Sequence, residues 1–285
     1  MPCIICASTK ERKKFTYSST DFFECCECGL IRTFPFPSEI QITEHYKKKF
    51  ISGNYNTILS HMEMYRDIYR SYIDFMKRKT GPLKDKKILD VGCFTGDFLD
   101  LAQAEGAITY GIELQKEAFD IAVNKHSGRI LNCSFSQADF HEKFDIITLF
   151  GIIEHVTNPE LLLEKISGWT VPRGILVIQT PDTGSIFARF LGKYWPPFAP
   201  VEHIHYFSRN NITQFLENYQ YSNIEVIPHY KKLGIQYVYT MLENFGREFH
   251  SLFKPVYIIL PHTIKARKLT FYIGEMIVTA EKKFR

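Results

Sequence analysis

The sequence of 285 residues contains no apolar run near the 18 or more residues that a membrane span requires; its purest stretch, Val256–Leu260, is five long. Its start, Met1-Pro2-Cys3-Ile4-Ile5-Cys6, lacks the basic region followed by an apolar core that marks a secretory signal. No internal repeat and no low-complexity segment is present, which excludes solenoids and Pro- or Gly-rich fibres. The net charge of +4 is too small to imply a nucleic-acid partner. Residues 1–87 hold sixteen Lys/Arg against ten Asp/Glu, a basic excess that a solvated face explains. A composition 45% hydrophobic, 15% aromatic and 23% charged is that of an ordinary globular chain, and the length allows about two domains. The expectation is a soluble, cytoplasmic protein.

What is present begins with cysteine. Cys3-x-x-Cys6 and Cys25-x-x-Cys28 are two pairs that hairpin tips can bring together, offering four thiolates in the tetrahedron that Zn2+ prefers. A cytoplasmic setting disfavours disulfides, so the pattern predicts a structural zinc ribbon over residues 1–36, with Cys26 pointing elsewhere and a redox or unligated set as the alternative. Four filled positions leave such a metal a folding role and no catalytic one. Cys93 and Cys133 stand alone and read as small packed residues.

Phe34-Pro35-Phe36-Pro37 makes a rigid exit from the ribbon, followed by a helical linker and cover over 37–84. Within it Tyr65, Ile68, Tyr69, Tyr72, Ile73 and Met76 recur at helical spacing, predicting a helix over 59–79 that ends at Lys77-Arg78-Lys79. The basic, aromatic stretch 46–55 is either a mobile cover or ordinary surface. From Lys87 β-rich runs at 87–91, 107–113, 129–133, 144–150 and 174–180 alternate with helical segments at 96–105, 115–126 and 158–168. That alternation predicts an α/β domain over 85–285 with a doubly wound, mostly parallel seven-stranded sheet. It also carries an aromatic insertion at 184–207, a helix capped by Ser208, a strand near 222–228, a helical stretch at 235–252 and a last strand near 273–280.

Ile88-Leu89-Asp90-Val91-Gly92-Cys93-Phe94-Thr95-Gly96 is a strand, a tight turn and a helix start, at the carboxyl edge where open α/β sheets bind ligands. The spacing is Gly-x-x-x-Gly and no Lys-Ser/Thr follows, so neither a dinucleotide fingerprint nor a phosphate cradle fits. The next strand ends Gly111-Ile112-Glu113, and a carboxylate there can accept both hydroxyls of a ribose.

The segments 90–96, Gly111–Glu113, 144–159 (FDIITLFGIIEHVTNP) and 172–182 (PRGILVIQTPD) together resemble the class I S-adenosylmethionine-dependent methyltransferases, nearest to the ubiquinone-type O-methyltransferases. A ribbon ending Cys-x-x-Cys-Gly-Leu-Ile, as at 25–31, is similar to that of a subset that includes sugar methyltransferases. The resemblance covers 85–182 strongly and 200–280 loosely. It implies a Rossmann-like fold and S-adenosyl-L-methionine as cofactor, with Asp90, Gly92, Cys93, Thr95 and Gly96 along its methionine part. It also implies Glu113 on the ribose, Leu114 against the adenine, and Phe150 and Gly151 beneath the sulfonium. Phe94 replaces the family's middle loop glycine and could cover the cofactor.

Methyl transfer from a sulfonium needs alignment and, for a hydroxyl acceptor, a base of near-neutral pKa. The candidates are His155, His203 and His205, with structural packing as the alternative for His155; a zinc site on His203 and His205 would need ligands the sequence does not offer. We assign His155 and His203 to catalysis, and Trp195, His205 and Tyr206 to the acceptor, whose pocket the aromatic insertion would wall off; a packed core under a long connection is the alternative for that segment. The apolar stretch 235–260 is a dimer face, a membrane-surface contact or core, in a monomer or homodimer. The expected activity is O-methylation of a small sugar, glycolipid or quinoid acceptor. RNA methylation through the ribbon is the alternative, as is an inactive cofactor-binding interaction protein; no dense basic stripe favours nucleic acid.

Overall fold

Short runs of branched and aromatic residues, most of them followed by an amphipathic stretch, build the sheet. The computed structural model describes residues 2–49, 62–126, 128–245, 247–265 and 267–284. Its strands are β1 (Glu11–Tyr17), β2 (Thr20–Cys25), β3 (Ile31–Phe34), β4 (Lys87–Val91), β5 (Ile108–Ile112), β6 (Ile130–Leu131), β7 (Phe144–Phe150), β8 (Thr170–Pro181), β9 (His205–Tyr206), β10 (Tyr221–Gly234) and β11 (Lys268–Lys282). The described helices are α1 (Glu39–Lys49), α2 (Met62–Thr80), α3 (Asp97–Ala104), α4 (Lys116–Lys125), α5 (Pro159–Trp169), α6 (Ile186–Leu191), α7 (Arg209–Asn218), α8 (Ile235–Phe245), α9 (Arg247–Ile259) and α10 (His262–Lys265). Among the described residues no helix is long and apolar enough to cross a membrane.

Seven strands form the expected mostly parallel sheet in the order β10-β11-β8-β7-β4-β5-β6, with β11 antiparallel to both its neighbours. The chain leaves β4 toward β5 and β6, then returns to the other side of β4 with β7 and β8. The order therefore reverses between β4 and β7, and the crevice at their carboxyl ends is where this architecture binds ligands. Both faces of the central strands are covered: Leu89, Ile147, Leu149, Leu176 and Ile178 pack in one cluster, and Ile88, Ile146 and Val177 in the other. That two-sided burial is why these strands are near-continuous apolar runs.

Helix α2 runs from the first described residue of the expected segment, Met62, to Thr80; residues 59–61, and 50–55 of the basic aromatic stretch, lie outside the described residues. It is no mere linker, because Met64, Ile68, Tyr72, Ile73 and Met76 are buried in the second cluster beside Phe98 of α3. Ser208 caps α7 as expected, its hydroxyl reciprocated by Asn211.

The N-terminal module is a meander of β1, β2 and β3 whose free edge is completed by β9 from the aromatic insertion, with Ile31 opposite Tyr206 and Arg32 opposite His205. Ile5, Cys25 and Leu30 of the module enter the same core as Leu163, Phe207 and Phe215, and the Asn218 side chain donates to the Ile5 carbonyl. The module is thus fused to the sheet domain by packing and by a shared strand.

Gly111 in β5 supplies a direct test of this packing. A Cβ there would lie 2.6 Å from Cys93 Sγ and 2.9 Å from Ile130 Cδ1, inside a strand that also anchors the loop after β4. Gly111→Ala is expected to cost about 1–3 kcal/mol of stability, read from the urea midpoint; an unshifted midpoint would contradict the tight strand-to-loop contact.

Candidate active site

The loop after β4 is held from below. The N–H groups of Gly92 and Cys93 both donate to the Ile112 carbonyl, and Gly96 N–H closes the turn on the Cys93 carbonyl. Gly92, Phe94 and Gly96 all have positive φ, at 79°, 48° and 79°. At Gly92 the conformation requires glycine, and a Cβ would also displace the Ile152 terminal methyl, 2.2 Å away. Phe94 holds the same left-handed turn without glycine's freedom. What offsets its strain is visible: its N–H donates to Glu113 Oε2 at 2.9 Å.

Glu113 accepts a second backbone bond at Oε1, from Gln115 N at 2.7 Å, and burial pushes its carboxyl pKa up despite those donors. Leu114 beside it is half exposed, leaving an apolar surface at the strand end. Asn132 pins both residues by donating to their carbonyls. Beneath the loop Asp90 is buried and accepts from the Thr148 hydroxyl at 2.6 Å; burial pushes its pKa up to about 7, with the Glu113 charge adding to the shift.

A raised acid pKa has a definite consequence for stability. The unfolded value is near 3.9, so Asp90's contribution is full below that and is lost as pH rises toward about 7. Asp90→Asn is expected to narrow the Tm difference between pH 5 and pH 8 by roughly 5 °C, by scanning calorimetry. An unchanged difference would mean that Asp90 does not hold its proton in the fold.

At the end of β7 the ring of Tyr72 stacks on Phe150 with centroids 4.3 Å apart. Gly151 follows at φ 67°; its N–H donates to the Gln179 carbonyl, and only Glu154 Oε1 and Gln179 Oε1 approach its bare α-carbon, near 3.8–3.9 Å from an ideal Cβ. Glu154 is buried, takes a hydrogen bond from Thr180, and has its pKa pushed up to about 8 by burial. Its carbonyl accepts the N–H groups of Ile204 and His205, which lays the insertion across the strand end.

This return brings His155 and His203 together, rings perpendicular and 4.5 Å apart. Each Nδ1 contacts a carbonyl, His155 that of Glu202 at 2.8 Å and His203 that of Pro197 at 2.7 Å. Carbonyls only accept, so each Nδ1 carries the hydrogen and each neutral ring has its lone pair on Nε2. Nitrogen and carboxylate atoms of Glu154, His155 and His203 lie within 4.8 Å of one another, a set able to take up a proton or hold a divalent cation.

A family profile described as Methyltransferase domain matches residues 62–226, more than half of the chain and all of the crevice just described. The chain belongs to this family. A ubiquinone biosynthesis O-methyltransferase of Coxiella burnetii is 31% identical to this methyltransferase over 104 residues, 34% of this chain and 44% of the relative. One from Glaesserella parasuis is 32% identical over 117 residues, 37% and 50% of the two chains. The chain thus spans about half the length of the curated relatives it matches. Among solved structures, a possible histamine N-methyltransferase of Thermotoga maritima superposes with a TM-score of 0.55 at 15% identity, covering 84% of this chain and 99% of that one. A 1,6-didemethyltoxoflavin-N1-methyltransferase of Burkholderia thailandensis with bound S-adenosylhomocysteine gives 0.55 at 11% identity, covering 95% and 99%. These last two speak for the fold: the class I methyltransferase fold.

Two acceptor assignments are corrected by the methyltransferase's packing. Trp195 and Tyr206 are each only 1% exposed, packed with Phe22, Ile31 and Phe198 between the N-terminal module and the insertion, so neither offers a face to an acceptor. Trp195 Nε1 is spent on the Ile273 carbonyl and the Tyr206 hydroxyl on the His203 carbonyl. His205 is buried on β9, its pKa lowered to about 4 by burial, and lines a cavity of about 350 Å3 with Arg32, Phe36 and Thr157. Pattern alone leaves Trp195 and Tyr206 open as a pocket wall or as packed core, and burying them at the module interface removes far more apolar surface from water.

Sequence pattern does not single out Gln179, His229, Lys231 and Glu275. Glu275 accepts from Gln179 Nε2 at 2.8 Å, Lys231 Nζ at 2.6 Å and His229 Nδ1 at 3.2 Å, next to the Gly151 turn through Gln179. Burial opposes its charge, but the Lys231 ammonium and the His229 hydrogen bond hold it down at about 2. One signal for it is present: a lone carboxylate in the apolar run 271–280 needs buried partners.

Proposed function

We propose that this protein binds S-adenosyl-L-methionine in the crevice between β4 and β7 and methylates a hydroxyl of a small sugar, glycolipid or quinoid acceptor. The observation that carries the reading is the convergence of His155, His203 and Glu154 beside Gly151, on the same strand end as the glycine loop and Glu113. The bound cofactor supplies an electrophilic methyl group. Toward it, Asp90, Gly92, Cys93, Phe94, Thr95 and Gly96 offer a loop of close backbone approach. Glu113 offers a carboxylate for the ribose, and half-exposed Leu114 an apolar face for the adenine. Gly151 leaves the floor bare where a reacting carbon has to pass, beside Phe150, which is stacked on Tyr72.

His155 Nε2 or His203 Nε2 takes the acceptor's proton, its ring held by the carbonyl bonded to Nδ1. Alignment does the rest, since in-line displacement gains mostly from positioning. A labelled-methyl assay over quinols, nucleotide-linked sugars, glycolipids and RNA tests the reading: label on a small-molecule hydroxyl is expected, and label on RNA alone would overturn it. His155→Ala and His203→Ala are expected to lower kcat by roughly 10²–10⁴ where the residue is the base, with S-adenosylhomocysteine affinity unchanged by calorimetry.

Residues 1–36 fold, in this reading, around a structural zinc ion. Cys3, Cys6, Cys25 and Cys28 have their sulfurs within 4.8 Å of one another, with Cys3–Cys28 at 3.4 Å and Cys6–Cys25 at 3.5 Å. Those separations are far too long for a disulfide and close to the edge of about 3.8 Å in a tetrahedral zinc–thiolate site. Cys26 is exposed and turned away. The four thiolates would hold the ion and leave it no open position, so its chemistry is that of a fold clamp.

A further inference from the structure

We propose that the helical crest between β10 and β11 docks this protein onto an anionic lipid surface, independently of which acceptor it methylates. Strands β10 and β11 outrun the sheet: β11 pairs with β8 only from Glu275 to Glu281, while its pairing with β10 continues to Lys268 opposite Gly234. Helices α8, α9 and α10 cap this two-stranded arm. Within the crest, Tyr257 of α9 stacks on Tyr239 of α8 at 3.7 Å, which defines an inner side. Away from that stack α9 leaves apolar side chains bare: Val256, Ile258 and Ile259 are 52%, 62% and 79% exposed, while Phe253, one turn before Tyr257 on the stacked side, is 50% exposed. A cluster of bare apolar side chains on one protruding element marks a contact surface.

Charge selects the occupant. From Phe249 to Gly274 the sequence has no Asp or Glu, yet it holds Lys254, Lys265, Arg267 and Lys268. Lys268 is tied to Asp67 of α2, but among the described residues no carboxylate lies within ion-pair distance of Lys254, Lys265 or Arg267. Isoleucines flanked by an excess of cations, five Lys/Arg against Glu243 and Glu248 from Ile235 to Lys268, are complementary to a headgroup layer of negative charge, into which the apolar side chains can sink. A second copy of the chain in the same place would set the cations of one crest against those of the other, an isologous contact that repels itself.

Flotation of the full chain with phosphatidylcholine vesicles, with and without about one-third phosphatidylglycerol, tests this. Expected is association with the anionic vesicles that falls more than about tenfold on neutral vesicles or in raised salt. Ile258→Asp with Ile259→Asp, and separately Lys254→Glu with Arg267→Glu, are expected to cost about tenfold or more, with Tm unchanged because all four side chains are at the surface. Wild type that ignores anionic vesicles overturns the proposal. So does salt-insensitive binding, or a stable dimer that the isoleucine pair disrupts without any vesicle association.

Discussion

Glu113→Ala is expected to weaken S-adenosylhomocysteine binding about 10- to 100-fold, the range for a lost charge-assisted hydrogen bond. Two losses combine. The carboxylate is the expected partner of the ribose, and it is also the acceptor that holds Phe94 N–H and Gln115 N–H. Without it, Phe94 keeps a left-handed conformation with that offsetting bond gone, so the loop from Gly92 to Gly96 loosens where the cofactor needs it rigid. Glu113→Gln retains one acceptor oxygen and should fall between wild type and alanine. Isothermal calorimetry checks the series. Equal affinities in all three would place the cofactor away from β5 and remove the foundation of the proposed function.

Cys25→Ser is expected to lower Tm by at least about 10 °C and to release zinc, because the binding energy of a structural thiolate site is folding energy. The effect should not stay local. Cys25 and Leu30 lie in the same core as Phe207 and Phe215, and β3 carries β9 as its edge. Loss of the metal therefore loosens the insertion that positions His203, and turnover should collapse with the thermal transition. The loop at 90–96 and Glu113 hang on β4 and β5, so S-adenosylhomocysteine should still bind within about threefold of wild type. Metal analysis and calorimetry on the two proteins decide it. A wild type that is metal-free and equally stable would defeat the zinc assignment.

Much of the crevice is legible in the amino-acid sequence. The strand 87–91, the strand 144–150 and the glycine pair at 92 and 96 fall where expected, and Ser208 caps its helix. Phe94 poses a question in the sequence, since its position demands a left-handed residue, and Glu113 answers it in the fold by holding its N–H. The aromatic insertion misleads for a physical reason. Composition distinguishes aromatic from polar segments, but not a pocket wall from a packed interface; only the pairing of β3 with β9 separates them for Trp195 and Tyr206.

Periodicity and spacing over a few tens of residues are enough for the strand–helix alternation, the loop at the first strand's end and the cysteine pairs, since each depends on contacts within one supersecondary unit. The meeting of His155 with His203, the fusion of the N-terminal module to the sheet and the Glu275 network depend on segments far apart in the chain. Which distant side chains meet is settled by how whole elements pack to bury their apolar faces, a collective outcome that local pattern does not encode.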